Sequence, residues 1–169
     1  MVLLFCISGC DTHKPSATDH QEKQNQLSTS DTTPKVTGIG GIFFKAKDPR
    51  AIKKWYGDNL GLSVDDFGSP FEFRNARRPE EVNYLNWDAF NDSTDYFNPS
   101  EKEFMINYRV QHIEKLVEKL TQNGVTIIDE VVTYDYGKFV HIMDLEGNKI
   151  ELWEPIDSVL AKMGRVTTK

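Results

Sequence analysis

Phe104-Met105-Ile106-Asn107-Tyr108-Arg109-Val110 reads as a strand, and the residues after it change period. Ile113, Leu116, Val117 and Leu120 fall at i, i+3, i+4 and i+7, the spacing of a helix with one buried face. Gly124 suits the end of that helix. Residues 125–132 are β-rich, with a break at Asp129. Residues 138–143 and 149–153 read as strands joined by Leu145-Glu146-Gly147-Asn148, a turn in which Gly and Asn supply positive φ.

The same order stands upstream. Gly40-Gly41-Ile42-Phe43-Phe44-Lys45-Ala46 is a strand, Asp48 suits an N-cap and Pro49 the first helical position. Ile52, Trp55, Tyr56 and Leu60 form an apolar stripe at helical period, with Trp55 and Tyr56 expected in the core, and Gly61 stops the helix. Strands are expected at 62–66, 71–74 and 82–87. Phe44-Lys45-Ala46-Lys47-Asp48 overlays Tyr108-Arg109-Val110-Gln111-His112 at an offset of 64 residues, slipping to 63 at Gly61 and Gly124. An internal repeat sets the architecture. Here it predicts an α+β fold: two βαβββ units in one curled eight-stranded mixed sheet, helices on the convex side. A pair of ferredoxin-like units also fits that count.

The rest of the chain brackets this repeat. Of 169 residues, 38% are apolar, below the usual ~45–50% of a globular domain. The deficit sits at the N-terminus: between Asp11 and Lys35 only Ala17 and Leu27 are aliphatic. Such a segment cannot offset its ordering entropy and is expected to be a disordered tether. The expected boundaries are 1–10 for a signal, 11–35 for the tether, 36–156 for the domain (units 36–88 and 103–156), and 157–169 for a short terminal helix and tail. The net charge of −6 argues against a nucleic-acid partner. Cys6 and Cys10 both precede the domain, so it holds no disulfide, thiolate metal site or cysteine nucleophile. Gly38-Ile39-Gly40-Gly41 leads into a strand rather than a helix, so it is not a phosphate-cradling loop.

Two stretches resemble known families. Ile7-Ser8-Gly9-Cys10 after a short apolar run is similar to a bacterial lipobox. That resemblance implies lipidation of Cys10 and a cell-envelope location, the alternative being a secreted or periplasmic soluble protein. Gly41-Ile42-Phe43-Phe44-Lys45-Ala46-Lys47-Asp48-Pro49, Trp55-Tyr56 with Leu60-Gly61-Leu62, and above all Asp144-Leu145-Glu146-Gly147-Asn148-Lys149-Ile150-Glu151-Leu152-Trp153-Glu154 resemble the vicinal oxygen chelate superfamily. Glyoxalases, bleomycin-resistance proteins and extradiol dioxygenases belong to it. The resemblance implies concave faces enclosing a small-molecule or metal site, with ligands from matching strands of the two units. Those positions fall on Gly41, on Met105, on Glu151 and somewhere within 83–88. Only Glu151 is a matching ligand, so no cofactor is expected and a divalent metal is disfavoured.

Strand alternation then selects the concave face. It carries Phe43, Lys45, Asn107, Arg109, His141, Glu151 and Trp153. Glu151 and His141 are the candidate acid/base pair, and Lys45 or Arg109 would hold a substrate anion. Tyr134 and Tyr136 either rim the pocket or cover an edge. The expected function is a glyoxalase- or bleomycin-resistance-like domain binding a small molecule without a full metal site. The alternative is a lyase, isomerase or dioxygenase using Glu151 as base or metal ligand. A homodimer is left open.

Overall fold

The computed structural model describes residues 31–76 and 78–168. The signal and most of the tether therefore lie outside the described residues. The element order is β1 (Lys35–Ala46), α1 (Pro49–Leu60), β2 (Ser69–Arg74), β3 (Val82–Asn91), β4 (Phe104–Gln111), α2 (Ile113–Gln122), β5 (Thr126–Ile127), β6 (Val132–Tyr134), β7 (Gly137–Met143), β8 (Lys149–Pro155) and α3 (Asp157–Lys162). The eight strands make one mixed sheet in the order β2-β3-β1-β4-β8-β7-β5, with β6 beside β7. The α+β class and the eight-stranded mixed sheet match the expectation from the repeat. No helix among the described residues is long and apolar enough to cross a membrane.

The repeat is visible as pairing. β1 runs parallel to β3 with Phe43 opposite Asp88, and β4 runs parallel to β8 with Asn107 opposite Glu151. Where the halves meet, β1 and β4 pair antiparallel, Gly41 facing Asn107 and Phe43 facing Met105. A two-fold operation that exchanges Phe43 with Asn107 therefore exchanges Asp88 with Glu151. This register identifies the position that the sequence left within 83–88: it is Asp88.

Two elements depart from expectation. Residues 62–66 form no strand, so the first half contributes three strands and the second five. The C-terminal tail takes the place of that strand: Thr168 N donates to Pro70 O at 2.8 Å, and Thr168 Oγ1 accepts from Ser63 N at 2.7 Å. In the second half the run 125–132 splits into β5 and β6 around Asp129, whose carboxylate turns instead to His141.

The helices are built as their caps suggest, but not equally buried. Asp48 Oδ1 accepts from Ala51 N at 2.9 Å, and Gly61 closes α1 at φ 75°, where a Cβ would be strained. Tyr56 packs on Trp87 with ring centroids 4.5 Å apart, yet Trp55 is 51% exposed, contrary to the expected core position. Adjacent helical residues point about 100° apart, so only one of the two rings can face the sheet. In α2, Ile113 and Leu116 are buried with Val110, Val140, Ile142 and Leu152 in the larger core cluster. Glu154 of β8 accepts from His112 N at 2.7 Å and Ile113 N at 3.1 Å. It thus supplies the N-terminal cap that His112 lacks.

Candidate functional site

The face opposite α1 and α2 carries a cleft with two lobes. One is a cavity of about 700 Å³ reached by Gly40, Asn107, Phe139, Glu151 and Trp153, and closed below by Leu160, Met163 and Arg165 of the C-terminal segment. The other, about 460 Å³, is lined by Asp88, Tyr96, Asp129, Tyr134 and His141 among others. Phe43, Phe67, Asn86, Tyr136, Phe139 and Glu151 belong to both lobes.

Glu151 is the centre of the polar floor and only 3% exposed. Its Oε1 accepts from the Tyr96 hydroxyl and lies 3.1 Å from His141 Nε2, and its Oε2 accepts from Asn107 Nδ2. Behind the histidine, Nδ1 lies 2.6 Å from Asp129 Oδ2, while Asp129 Oδ1 accepts from His141 N at 2.8 Å. The carboxylates of Asp129 and Glu151 thus bracket the imidazole. With acceptors on both sides, a ring carrying two N–H groups satisfies every bond.

That geometry sets the charge on His141. Burial favours the neutral ring, but the hydrogen bond and charge of Glu151, together with Asp129, outweigh it and hold the pKa above its ordinary 6.5. A pKa raised on folding contributes stability that is complete below about pH 6.5 and is lost as pH rises through the folded value. Melting temperature is therefore expected to fall over that interval, and His141→Gln is expected to remove the slope. Equal slopes in both proteins, measured by thermal melts from pH 5.5 to 9, would contradict the bracketed imidazolium.

Asn107 and Trp153 each carry a buried atom on this floor without a hydrogen-bond partner among the described residues. Asn107 is 2% exposed, and because its Nδ2 faces a carboxylate, its Oδ1 is the free end of the amide; it has no hydrogen-bond partner. Oδ1 packs against Gly40, the extra residue of a bulge between β1 and β4, where a Cβ would sit 2.2 Å from it and 2.9 Å from the Trp153 ring. Trp153 Nε1, next to Gly137, is likewise unpartnered.

The sequence-derived residues divide into two groups. Phe43, Asn107, His141, Glu151 and Trp153 converge on the cleft. Lys45 and Arg109 line neither lobe: Lys45 Nζ sits 5.7 Å over the Phe97 ring, and Arg109 turns to α3. There its guanidinium reaches Asp157 Oδ2 at 2.5 Å and Tyr84 O at 3.0 Å, with Trp153 stacked 5.3 Å away. Tyr134 and Tyr136 both rim the second lobe, stacked at 5.4 Å and 7°. Sequence reasoning missed Tyr96, Asp129, Asp157 and Phe67. Tyr96 lies in the connection between the repeats, where no periodicity points. It is held there by buried Phe97 and by stacking on Phe90 at 5.5 Å. Asp129 had a signal, the interruption of a β-rich run.

The positions at which the superfamily places metal ligands do not make a donor set here. Gly41 has no side chain, and a Cβ on it would fall 2.5 Å from the Phe43 ring. Met105 offers only a buried thioether. Asp88 pairs with Lys53 at 2.6 Å, and Glu151 is committed to its three donors. No group of three or more metal-binding side chains converges among the described residues.

No family model and no curated protein sequence matches the chain. Solved structures do. The Streptomyces coelicolor methylmalonyl-CoA epimerase superposes with a TM-score of 0.54 at 13% identity, covering 72% of this chain and 99% of that one. A methylmalonyl-CoA epimerase in complex with methylmalonyl-CoA gives 0.54 at 12% identity over 79% of this chain and 100% of that one. The Mn(II)-bound glyoxalase of Novosphingobium aromaticivorans gives 0.50 at 15% identity over 72% of this chain and 40% of that one. At these identities the likeness is one of architecture, and the chain has the fold shared by the glyoxalases and methylmalonyl-CoA epimerases.

Proposed function

We propose that this chain is a small-molecule-binding protein whose cleft works without a resident divalent metal. The observation that carries the reading is the state of Glu151. Of the two carboxylates at superfamily ligand positions, Asp88 pairs with Lys53, and Glu151 spends both oxygens on Tyr96, His141 and Asn107. A metal there would have to displace protein donors and recruit further ligands that Gly41 and Met105 do not supply. The cleft has the usual make-up of a small-molecule site, aromatic walls around a few convergent polar groups. Phe43, Asn107 and Trp153 form its contact surface, with Glu151 and His141 as the polar centre. With the lipobox-like Cys10, this reading places the cleft at the cell envelope. The test is mass spectrometry of the full chain purified under native conditions, compared with the same protein after denaturation. A stoichiometric organic species released on denaturation, and bound again by the refolded protein, supports it. Persistent one-to-one loading with a divalent ion and no organic species contradicts it.

The Asp129–His141–Glu151 chain favours a second reading, proton transfer at a carbon next to a carbonyl. Glu151 would accept the proton, and the bracketed His141 would orient its carboxylate through the hydrogen bond they share. Solvent-deuterium incorporation into carbonyl compounds, abolished in Glu151→Gln, would favour this reading over binding alone.

A further inference from the structure

We propose that the ligand of this cleft is a flat organic cation carrying N–H donors, which rests on the binding reading above and assigns its chemical class. Three independent features converge. The first is the buried acceptor. Asn107 Oδ1, in a residue that lines the larger lobe, is buried without a partner among the described residues. An unsatisfied buried acceptor costs free energy until a donor reaches it, so the matching ligand atom is an N–H or O–H.

The second feature is charge. Asp65, Asp66, Asp88, Asp129, Glu130 and Glu151 line the two lobes, against Arg165 and His141. Arg165 is taken by both oxygens of Asp65 at 2.8 Å. The Asp66 and Glu130 carboxylates make no ion pair or side-chain hydrogen bond among the described residues. Lys45 and Arg109, the cations that an anionic ligand would need, are turned to Phe97 and Asp157. Water in such a cleft is readily exchanged for a cation and poorly for an anion.

The third feature is the aromatic walls. Phe67, between Asp66 and Gly68, lines both lobes, 72% exposed and without a ring partner among the described residues. Phe139, stacked on Trp153 at 5.7 Å and 11°, and Tyr136 line the same two lobes. A flat body slots between aromatic faces, and their negative π-surfaces favour a positive one.

The test is isothermal titration of the full chain at low ionic strength with three tricyclic probes of one shape: the cation proflavine, neutral acridone and the anion acridine-9-carboxylate. Proflavine is expected to bind at least about tenfold more tightly than either of the others, a margin within reach of one cation–π contact plus one charge-assisted hydrogen bond. Phe67→Ala is expected to weaken it by about tenfold with an unchanged melting temperature. Asp66→Asn and Glu130→Gln are each expected to weaken proflavine a few-fold while leaving acridone unaffected, and added salt to act in the same sense. Equal or tighter binding of the neutral or anionic probe, lost in Phe67→Ala, overturns the cation assignment but leaves the binding reading standing. Silence of all three probes overturns the assignment and counts against the binding reading as well. Proflavine binding unchanged in Phe67→Ala, Asp66→Asn and Glu130→Gln also overturns it, because the dye then sits elsewhere.

Discussion

Replacing Glu151 with Leu is expected to lower the unfolding free energy by about 4 kcal/mol, because two buried donors and the part-buried Tyr96 hydroxyl lose their acceptor at about 1–3 kcal/mol each and the tyrosine can turn to solvent. The three are the Tyr96 hydroxyl, Asn107 Nδ2 and His141 Nε2, all of which face one carboxylate. Glu151→Gln is expected to cost only about 1 kcal/mol, the typical worth of one hydrogen bond. Its carbonyl can still accept from Tyr96 and His141. Its amide N–H meets Asn107, which can turn its free Oδ1 inward. That rotation points an N–H at Gly40 where the acceptor used to be. The Gln variant should therefore keep its fold and lose affinity for donor-bearing ligands. Urea denaturation of the two variants measures the pair of values. Equal losses, or a fold insensitive to Leu, would mean that the carboxylate is not the organising acceptor of the floor.

Asp157→Ala is expected to cost about 3 kcal/mol, the lower end of the ~3–5 kcal/mol for removing one partner of a buried ion pair. The value sits at the lower end because Arg109 keeps the Tyr84 carbonyl. The guanidinium is 4% exposed and cannot rehydrate, whereas Asp157 is partly exposed and can. Arg109→Met should therefore cost less, about 1–2 kcal/mol, and the double variant Arg109→Met with Asp157→Leu should recover much of the loss. In a domain of this size 3 kcal/mol corresponds to a fall in melting temperature of roughly 10 °C. Alternation puts Arg109 on the concave face but carries no information on its partner. α3 brings Asp157 back under the sheet from the first turn after β8, and Asn83 Nδ2 shares the same oxygen at 3.1 Å. If Arg109→Met proves the costlier variant, the guanidinium is not the stranded charge.

The repeat was legible because its signals are local. Alternation, helical stripes and the Asp48, Gly61 and Gly124 punctuation are short-range, and the offset of 64 residues brings them into register. The face assignment followed from period two alone: Asn107, His141, Glu151 and Trp153 all point where alternation puts them. Three things were not local. The strand expected at 62–66 was lost to the tail around Thr168, more than a hundred residues later. Tyr96 comes from an aperiodic connection that is placed by the burial of Phe97. The engagement of Lys45 and Arg109 depends on which partners reach them first, and a pattern of residue types does not encode that competition. Asp129 stands between these cases. Its break in the β-run is visible in the sequence, but the break has meaning only once His141 is seen opposite it.

Whether Glu151 is held by protein donors or by a metal decides the chemistry of the cleft. The direct measurement is isothermal titration of the metal-stripped full chain with Zn²⁺, Ni²⁺ and Mn²⁺, alongside Glu151→Gln, which keeps the shape of the site. The prediction is that neither protein shows a one-to-one event attributable to the cleft, and that any Zn²⁺ or Ni²⁺ uptake through the histidines and cysteines of residues 1–30 is the same in both. One tight equivalent per chain, present in the native protein and missing in Glu151→Gln, would contradict it.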